Sequence, residues 1–343
     1  MKEVDLSKYR IRTDLVVDLI DEDFAYQRKR TYKNITISNI TLDDESSKSL
    51  NKSVGDYTTI YFDDVTDTTN YKDVLKVLTD ELSKILKDSN IKDDYSCMII
   101  GLGNEKSTAD ELGVTTAKKV TVTKHIYDLT GSLEEGYRVS TCLIPGVMGT
   151  TGIETSDIIS SVVERIKPDF IIVIDALASD SIDRLLKTIQ ITNTGINPGS
   201  GIGNNRKEIS RNIFGIPVIA IGVPTVVDAT TIVNDTLNYM KKLFSYNIKN
   251  KDKASDKLIP SSRINYLKNN NYTLSKKESS YFLGAIGDLN DDEKKVLIGD
   301  VLTPIGYNLV VTPKEIDFIV LKLTNLIAEA INKSIHNIST KYI

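Results

Sequence analysis

The 343-residue sequence has no tryptophan, only two histidines and only two cysteines. Two cysteines are too few for a secreted disulfide framework, and neither stands in a paired spacing that would hold zinc. Cys97 and Cys142 lie inside the apolar runs CMII and TCLI and are expected as small core residues. No G-x-S-x-G elbow occurs, and two histidines leave little from which to build a nucleophile triad. Long hydrophobic runs are missing as well. The longest, 170–178 and 216–227, are interrupted by Asp175 and by Pro217 and Pro224, so neither fits a membrane span of ~20 residues. The opening MKEVDLSKYR has no apolar stretch of the signal-peptide kind. Basic residues show no excess: 43 Lys and Arg against 47 Asp and Glu leave a net charge of −4, which speaks against a dedicated nucleic-acid binder. The expectation is a cytoplasmic protein with no membrane partner and no direct nucleic-acid partner.

The chain is 40% hydrophobic and 26% charged, ordinary values for a globular protein, and its length allows about two domains. The stretch 34–42 (NITISNITL) alternates and is β-branched, as strands are, and 57–62 is a second strand candidate. Val74, Leu75, Leu78, Leu82, Ile85 and Leu86 follow helical spacing. Short continuous apolar runs then alternate with amphipathic segments. Strands are expected at 97–102, 138–144, 169–174 and 217–222, and helices at 155–166, 228–243, 291–301 and 313–339. Thr108 to Glu111 fits a capping box that would open a further helix. Strands apolar on both faces, alternating with helices, are what a mostly parallel central sheet with helices on both faces requires, so the fold class expected is α/β. Residues 245–278 are rich in Asn, Lys and Ser and are expected as a polar, exposed excursion.

In open α/β sheets ligands bind beyond the carboxyl ends of the strands, and this sorts the carboxylates by position. Asp175 follows the apolar run DFIIVI. Asp110 lies seven residues after Gly103, in the loop that follows CMIIGL. Both would share one sheet edge if the two strands are neighbours. Two carboxylates held close together can share a proton, and such a pair can activate water and protonate a leaving amine. The plainer readings are a first-turn acid favoured by the helix dipole for Asp110 and a loop cap for Asp175. His125 is a weak candidate for a base or a metal ligand, His336 is expected on the surface of a terminal helix, and Cys142 has no histidine partner in sequence. GLGN (101–104) is neither a P-loop nor a full dinucleotide fingerprint. NPGSGIGNN (197–205), with Gly199, Gly201 and Gly203, is equally a nest of backbone N–H groups for an oxyanion or substrate carbonyl and a tight loop that needs glycine for its conformation.

Several longer stretches carry a more specific signal: YRIRTDL (9–15), GLGN…DELG (101–113), PGVMGTTGIET (145–155), KPDFIIVIDALA (167–178), TIQITNTGINPGSGIGNNR (188–206), GIPVIAIGVPTVVDA (215–229) and VLTPIGYNLVVTPKEID (301–317). In these blocks and in their order the chain resembles the germination protease family of spore-forming bacteria, endopeptidases that degrade small acid-soluble spore proteins. The resemblance implies an atypical aspartic-type peptidase, made as a zymogen and active in the spore core. It also implies a homo-oligomer, a tetramer in the family, and a fold similar to hydrogenase-maturation proteases. The family's two essential aspartates carry over onto Asp110 in TADELG and Asp175 in IDALA. Related maturation proteases hold a metal with corresponding carboxylates and a histidine, but two histidines leave a third ligand hard to supply, so the expectation is no metal and no cofactor. The same comparison makes residues 1–14 a propeptide ahead of a peptidase domain at 15–343, with self-cleavage between Asp14 and Leu15, an acidic residue followed by a large apolar one. DALASDSIDR carries acids where the family would have a more basic segment. Two other readings compete: a metallopeptidase using Asp110, Asp175 and His125, and a non-enzymatic nucleotide- or peptide-binding module using the glycine loops.

Overall fold

The computed structural model describes residues 13–20, 24–197, 207–250, 273–302 and 309–337. The chain divides into two compact units, a larger one over 12–179, 183–226 and 312–343 and a smaller one over 1–11, 180–182 and 227–311. The larger unit begins with β1 (Gln27–Tyr32), β2 (Ile35–Leu42), α1 (Asp44–Leu50), β3 (Gly55–Tyr61), α2 (Thr68–Asp88), β4 (Cys97–Gly101), α3 (Leu112–Ala117), α4 (Lys124–Thr130) and β5 (Ser140–Leu143). It continues with α5 (Met148–Thr151), α6 (Thr155–Ile166), β6 (Phe170–Ser179), β7 (Thr188–Thr192), α7 (Arg211–Phe214) and β8 (Val218–Asp228). The smaller unit holds α8 (Ala229–Asn250), α9 (Lys276–Leu283), α10 (Asp291–Leu302) and β9 (Val310–Val311), and the chain returns to the larger unit with α11 (Ile316–Ile335).

The α/β class holds, with one correction: the sheet is mixed rather than mostly parallel. Its order is β1-β2-β3-β7-β8-β6-β4-β5. Parallel pairing joins β5 to β4 and β4 to β6, whereas β1-β2, β2-β3, β3-β7 and β7-β8 are antiparallel. Connection length accounts for the start of the sheet. β1 and β2 are joined by the two residues Lys33 and Asn34, which permits only an antiparallel hairpin, and β2 and β3 are separated by one short helix. In the parallel pairs, β4 and β5 are separated by 38 residues and β4 and β6 by 68, enough for the crossovers that parallel pairing needs.

Cys97 to Gly101 and Phe170 to Ile174 are buried at every position. Side chains alternate along a strand. Met98, Ile100, Ile171 and Val173 cluster with Ile159 and Val163 of α6 on one face. Ile99, Ile172 and Ile174 are equally buried on the opposite face, where α3 packs on β4 and β6 and α11 packs on α2 and α3. Cys97 fits its expectation as a core residue, and burial pushes its thiol pKa up. Cys142 does not: it is exposed, because β5 is the last strand in the sheet order and only part of it is covered.

Differences elsewhere are local. The capping box at Thr108 does not form. Thr108–Asp110 makes a 3-10 turn, and α3 starts only at Leu112, with Glu111 at its N-cap and no side-chain cap bond. The excursion expected at 245–278 is partly helical, since α8 runs to Asn250 and α9 starts at Lys276 with a full Ser275–Glu278 capping box. In the smaller unit α8 and α9 meet through stacked Phe244 and Phe282 rings 4.7 Å apart, and Lys295 of α10 pairs with Asp180 at 2.5 Å. Among the described residues no helix is long and apolar enough to cross a membrane.

Candidate active site

β4 and β6 are neighbours and parallel, the condition under which Asp110 and Asp175 share an edge. Their pairing ends at Gly101 opposite Ile174, so Asp175 is the first residue of β6 beyond it. β6 does not stop there but continues to Ser179, which puts Asp175 inside a long strand rather than in the following loop. Its carboxylate is largely buried, and Oδ1 accepts the Ala176 N–H at 2.9 Å.

The segment carrying Asp110 is tied to three adjacent strands. At the end of β4 the Leu102 N–H donates to the Ile174 carbonyl at 2.9 Å. Gly103 then turns the chain at φ +109°, where a Cβ would lie 1.9 Å from the Asp110 carbonyl oxygen, so only glycine fits. The Asn104 N–H donates back to that carbonyl at 3.0 Å, and the Asp110 N–H donates to the Ser107 carbonyl at 2.8 Å. On the β8 side, Thr225 Oγ1 donates to the Ala109 carbonyl at 2.6 Å. The next helix is seated by Gly113, whose missing Cβ would stand 2.3 Å from the Ile174 carbonyl oxygen. The Thr108–Asp110 turn thus lies over β6, with Cα atoms within 8 Å of it. The GLGN stretch forms the exit from β4 within this arrangement.

His125 is exposed on α4. Among the described residues no group of three or more His, Cys, Asp or Glu side chains is placed to hold a metal ion. Gly199, Gly201 and Gly203 lie outside the described residues, so the structure gives no account of the loop they belong to.

A second polar arrangement surrounds Asp14 and Leu15. The Asp14 N–H donates to the Ala178 carbonyl at 3.0 Å, and the Ala178 N–H donates to Asp14 Oδ2 at 2.9 Å. The Asp14 carbonyl accepts from Lys52 Nζ at 3.1 Å and from Gln190 Nε2 at 3.4 Å, while Gln190 Oε1 accepts the Val16 N–H at 3.0 Å. Lys52 also donates to the Thr13 carbonyl at 3.2 Å. Burial lowers the pKa of the Lys52 ammonium, and the charge of Asp14 works against that. A small cavity of about 60 Å³ beside these groups is lined by Tyr57, Leu177, Thr194 and Gly222 as well. Leu15, Val16 and Val17 are buried in one cluster with Ile40, Leu42, Tyr57 and Leu177. Ala178 is three residues beyond Asp175, about 10 Å along the strand at the usual rise per residue. The structure therefore places the Asp110 turn over β6, the strand that carries Asp175, and holds the Asp14–Leu15 bond against Ala178 further along that strand.

Lys52, Gln190 and Thr225 are contributors that sequence reasoning does not single out. Thr225 and Gln190 fall inside the quoted blocks GIPVIAIGVPTVVDA and TIQITNTG, the only signal that bears on them.

A family described as germination protease matches residues 18–341. The germination protease of Bacillus cereus (strain AH187) is 43% identical over 356 aligned positions, covering 98% of this chain and 97% of the relative. Those of Bacillus cytotoxicus and Bacillus anthracis (strain CDC 684 / NRRL 3495) are 42% and 43% identical over the same shares of each chain.

Proposed function

The chain belongs to the germination protease family, and on that premise we propose that it is a self-processing endopeptidase that hydrolyses small acid-soluble spore proteins in the spore core, with water activated between Asp110 and Asp175. One carboxylate is ionised and takes a proton from water as its oxygen attacks the scissile carbonyl carbon. The other is protonated and gives its proton to the leaving nitrogen, so that the peptide bond yields a carboxylate and an amine. The observation that supports this reading best is the anchoring of the Asp110 turn: Gly103, the Gly113 approach to Ile174 and the Thr225 bond to Ala109 hold it against the strand that carries Asp175. Fixed placement of that kind is what a shared-proton pair needs, because small displacements of reacting groups cost large factors in rate.

The first self-cleavage is assigned to the Asp14–Leu15 bond, and substrates are cut at similar acidic–apolar junctions. The test is intact mass of the wild type, Asp110→Asn and Asp175→Asn, each held at neutral and mildly acidic pH with chelator present, together with digestion of a small acid-soluble spore protein. Loss of residues 1–14 and substrate cleavage are expected in the wild type alone. Equal loss in either variant would assign the cut to something other than this pair, and activity that appears only when a metal is added back would replace the pair with a metallopeptidase.

A further inference from the structure

Thr13 Oγ1 stands between two groups. It accepts the Leu15 N–H at 3.1 Å and donates to Asp18 Oδ2 at 2.5 Å, so the Leu15 nitrogen and that carboxylate oxygen are two hydrogen bonds in series apart. The Asp18 side chain is buried and also takes Ser179 Oγ at 3.1 Å and the Arg184 guanidinium. The Ala178 carbonyl accepts from the Asp14 N–H at 3.0 Å and lies 3.3 Å from Thr13 Oγ1, whose single proton goes to the nearer Asp18 carboxylate. Removal of residues 1–14 takes the Thr13 donor from Asp18, which keeps Ser179 and Arg184, and the Asp14 donor from the Ala178 carbonyl, and a hydrogen bond lost at a buried acceptor is costly.

The same cut creates one new group. Hydrolysis of the Asp14–Leu15 bond places the water oxygen on the Asp14 carboxylate and leaves Leu15 with a primary amine, which takes a proton to become an ammonium with three donors. The side chains of Leu15, Val16 and Val17 are held by Ile40, Leu42, Tyr57 and Leu177, none of which leaves with the propeptide. The new ammonium therefore appears in place, beside the acceptors that the departing Thr13 and Asp14 vacate. We propose that the Leu15 ammonium takes the position of the Thr13 hydroxyl, pairs with the Asp18 carboxylate and the Ala178 carbonyl, and so locks the processed amino terminus onto the end of β6. This rests on the cut proposed above. It makes Asp18 a positioning residue of the processed form, acting at Ala178, three residues along β6 from Asp175.

The processed chain is obtained in two ways: from full-length protein that cuts itself after folding, and by release of a chain beginning at Leu15 from an amino-terminal fusion. The released chain is compared with a free Leu15 amine, with that amine acetylated, and with one glycine added ahead of Leu15, in the wild type and in Asp18→Asn. Acetylation or extension is expected to raise the unfolding equilibrium constant at least tenfold in the wild type and less than twofold in Asp18→Asn. The Leu15 amine, followed by NMR, is expected to titrate above the ~8 of an ordinary α-amino group. Equal stability of the free and acetylated wild-type chains, an ordinary titration, or a free-amine chain with no cooperative unfolding would each overturn the pairing. If Asp18→Asn does not fold, the acetylation series and the titration in the wild type decide. Failure of the full-length chain to cut itself would instead count against the proposed function, and the released chain would still test the pairing.

Discussion

The Nδ1 of His336 accepts the Arg138 N–H at 3.1 Å, and the ring lies 5.4 Å from Tyr137 at the C-terminal end of α11. Arg138 holds the same helix end through Nε to the Ile335 carbonyl at 2.9 Å, and ties it to the β4 approach through Nη1 to the carbonyls of Lys92 and Tyr95. His336 is thus buried, not the surface residue that its place near the chain end suggests. Burial lowers its pKa, and the positive charge of Arg138 adds to that; the Thr121 backbone acts in the opposite direction. The sign of the consequence follows. The unfolded chain, with an ordinary histidine near 6.5, binds the proton before the folded chain does. Stability from this group is therefore complete above about pH 6.5 and is lost as pH falls through the lower, folded value. Denaturant unfolding at pH 8.0 and pH 5.0 should show the wild type losing more stability than His336→Asn, which keeps an acceptor for Arg138 but has no proton to gain. The excess is bounded by about 1.4 kcal/mol per pH unit. Equal losses in the two proteins would mean that His336 does not titrate in this range.

At the scale of elements, the close approach of α3 to the sheet sets the position of Asp110. Gly101 of β4 and Gly113 of α3 face each other: a Cβ at Gly101 would meet the Gly113 carbonyl oxygen at 2.4 Å, and a Cβ at Gly113 would meet backbone atoms of Ile174 and Leu102. Gly113→Ala must therefore lift α3 from β4 and β6, at a cost of about 1–3 kcal/mol or more for overpacking of this kind. The expected outcome is a melting temperature lower by a few °C, with proteolytic activity reduced more than tenfold under conditions where the variant is still folded. Gly149→Ala, where nothing lies within 4 Å, is the control and should change neither. Unaltered activity in Gly113→Ala would detach the Asp110 turn from the chemistry. Much of this element level is legible in the sequence. The runs CMIIGL and DFIIVI are continuous because both faces of β4 and β6 are covered, and the period of α2 and α6 follows from their single buried stripes. β1 is not legible, since QRKRTY is a charged, mostly exposed strand at the start of the sheet order, and charge there discourages pairing with other chains. The mixed topology is also hidden, because the register of β3 against β7 depends on residues more than a hundred positions apart. At the site, Asp110 and Asp175 stand out because strand ends can be read locally and the family resemblance marks them. Lys52, Gln190 and Thr225 act on partners 38 to 176 positions away, and nothing around them in sequence says so.

For the whole molecule, the position of the Asp14–Leu15 bond sets the route that the proposed self-processing would have to take. With Asp14 paired to Ala178, the bond lies about 10 Å along β6 from Asp175, beyond the reach of a carboxylate-activated water. To be cut by its own chain, the segment must first leave its seat. Leaving exposes Leu15, Val16 and Val17, each worth roughly 1.5–3 kcal/mol of burial, and breaks the bonds made by Thr13, Asp14 and Val16. Undocking of this size makes the open form rare, so the processing rate should follow its population. Thr13→Val keeps the shape of the side chain and removes the hydroxyl that bridges the Leu15 N–H and the Asp18 carboxylate. A hydrogen bond to a charged group contributes about 1.5–3 kcal/mol, and each 1.36 kcal/mol is tenfold in rate. Processing of Thr13→Val, followed by intact mass, should therefore be at least tenfold faster than in the wild type and first order in protein over a hundredfold dilution. Because Thr13 is also the second residue before the cut, peptides spanning 9–18 with Thr or Val at that position serve as the reference for recognition alone, and mature enzyme should cut them at similar rates. Processing that slows on dilution would mean that one molecule cuts another. A Thr13→Val chain that processes no faster would mean that release of the docked segment does not control the reaction.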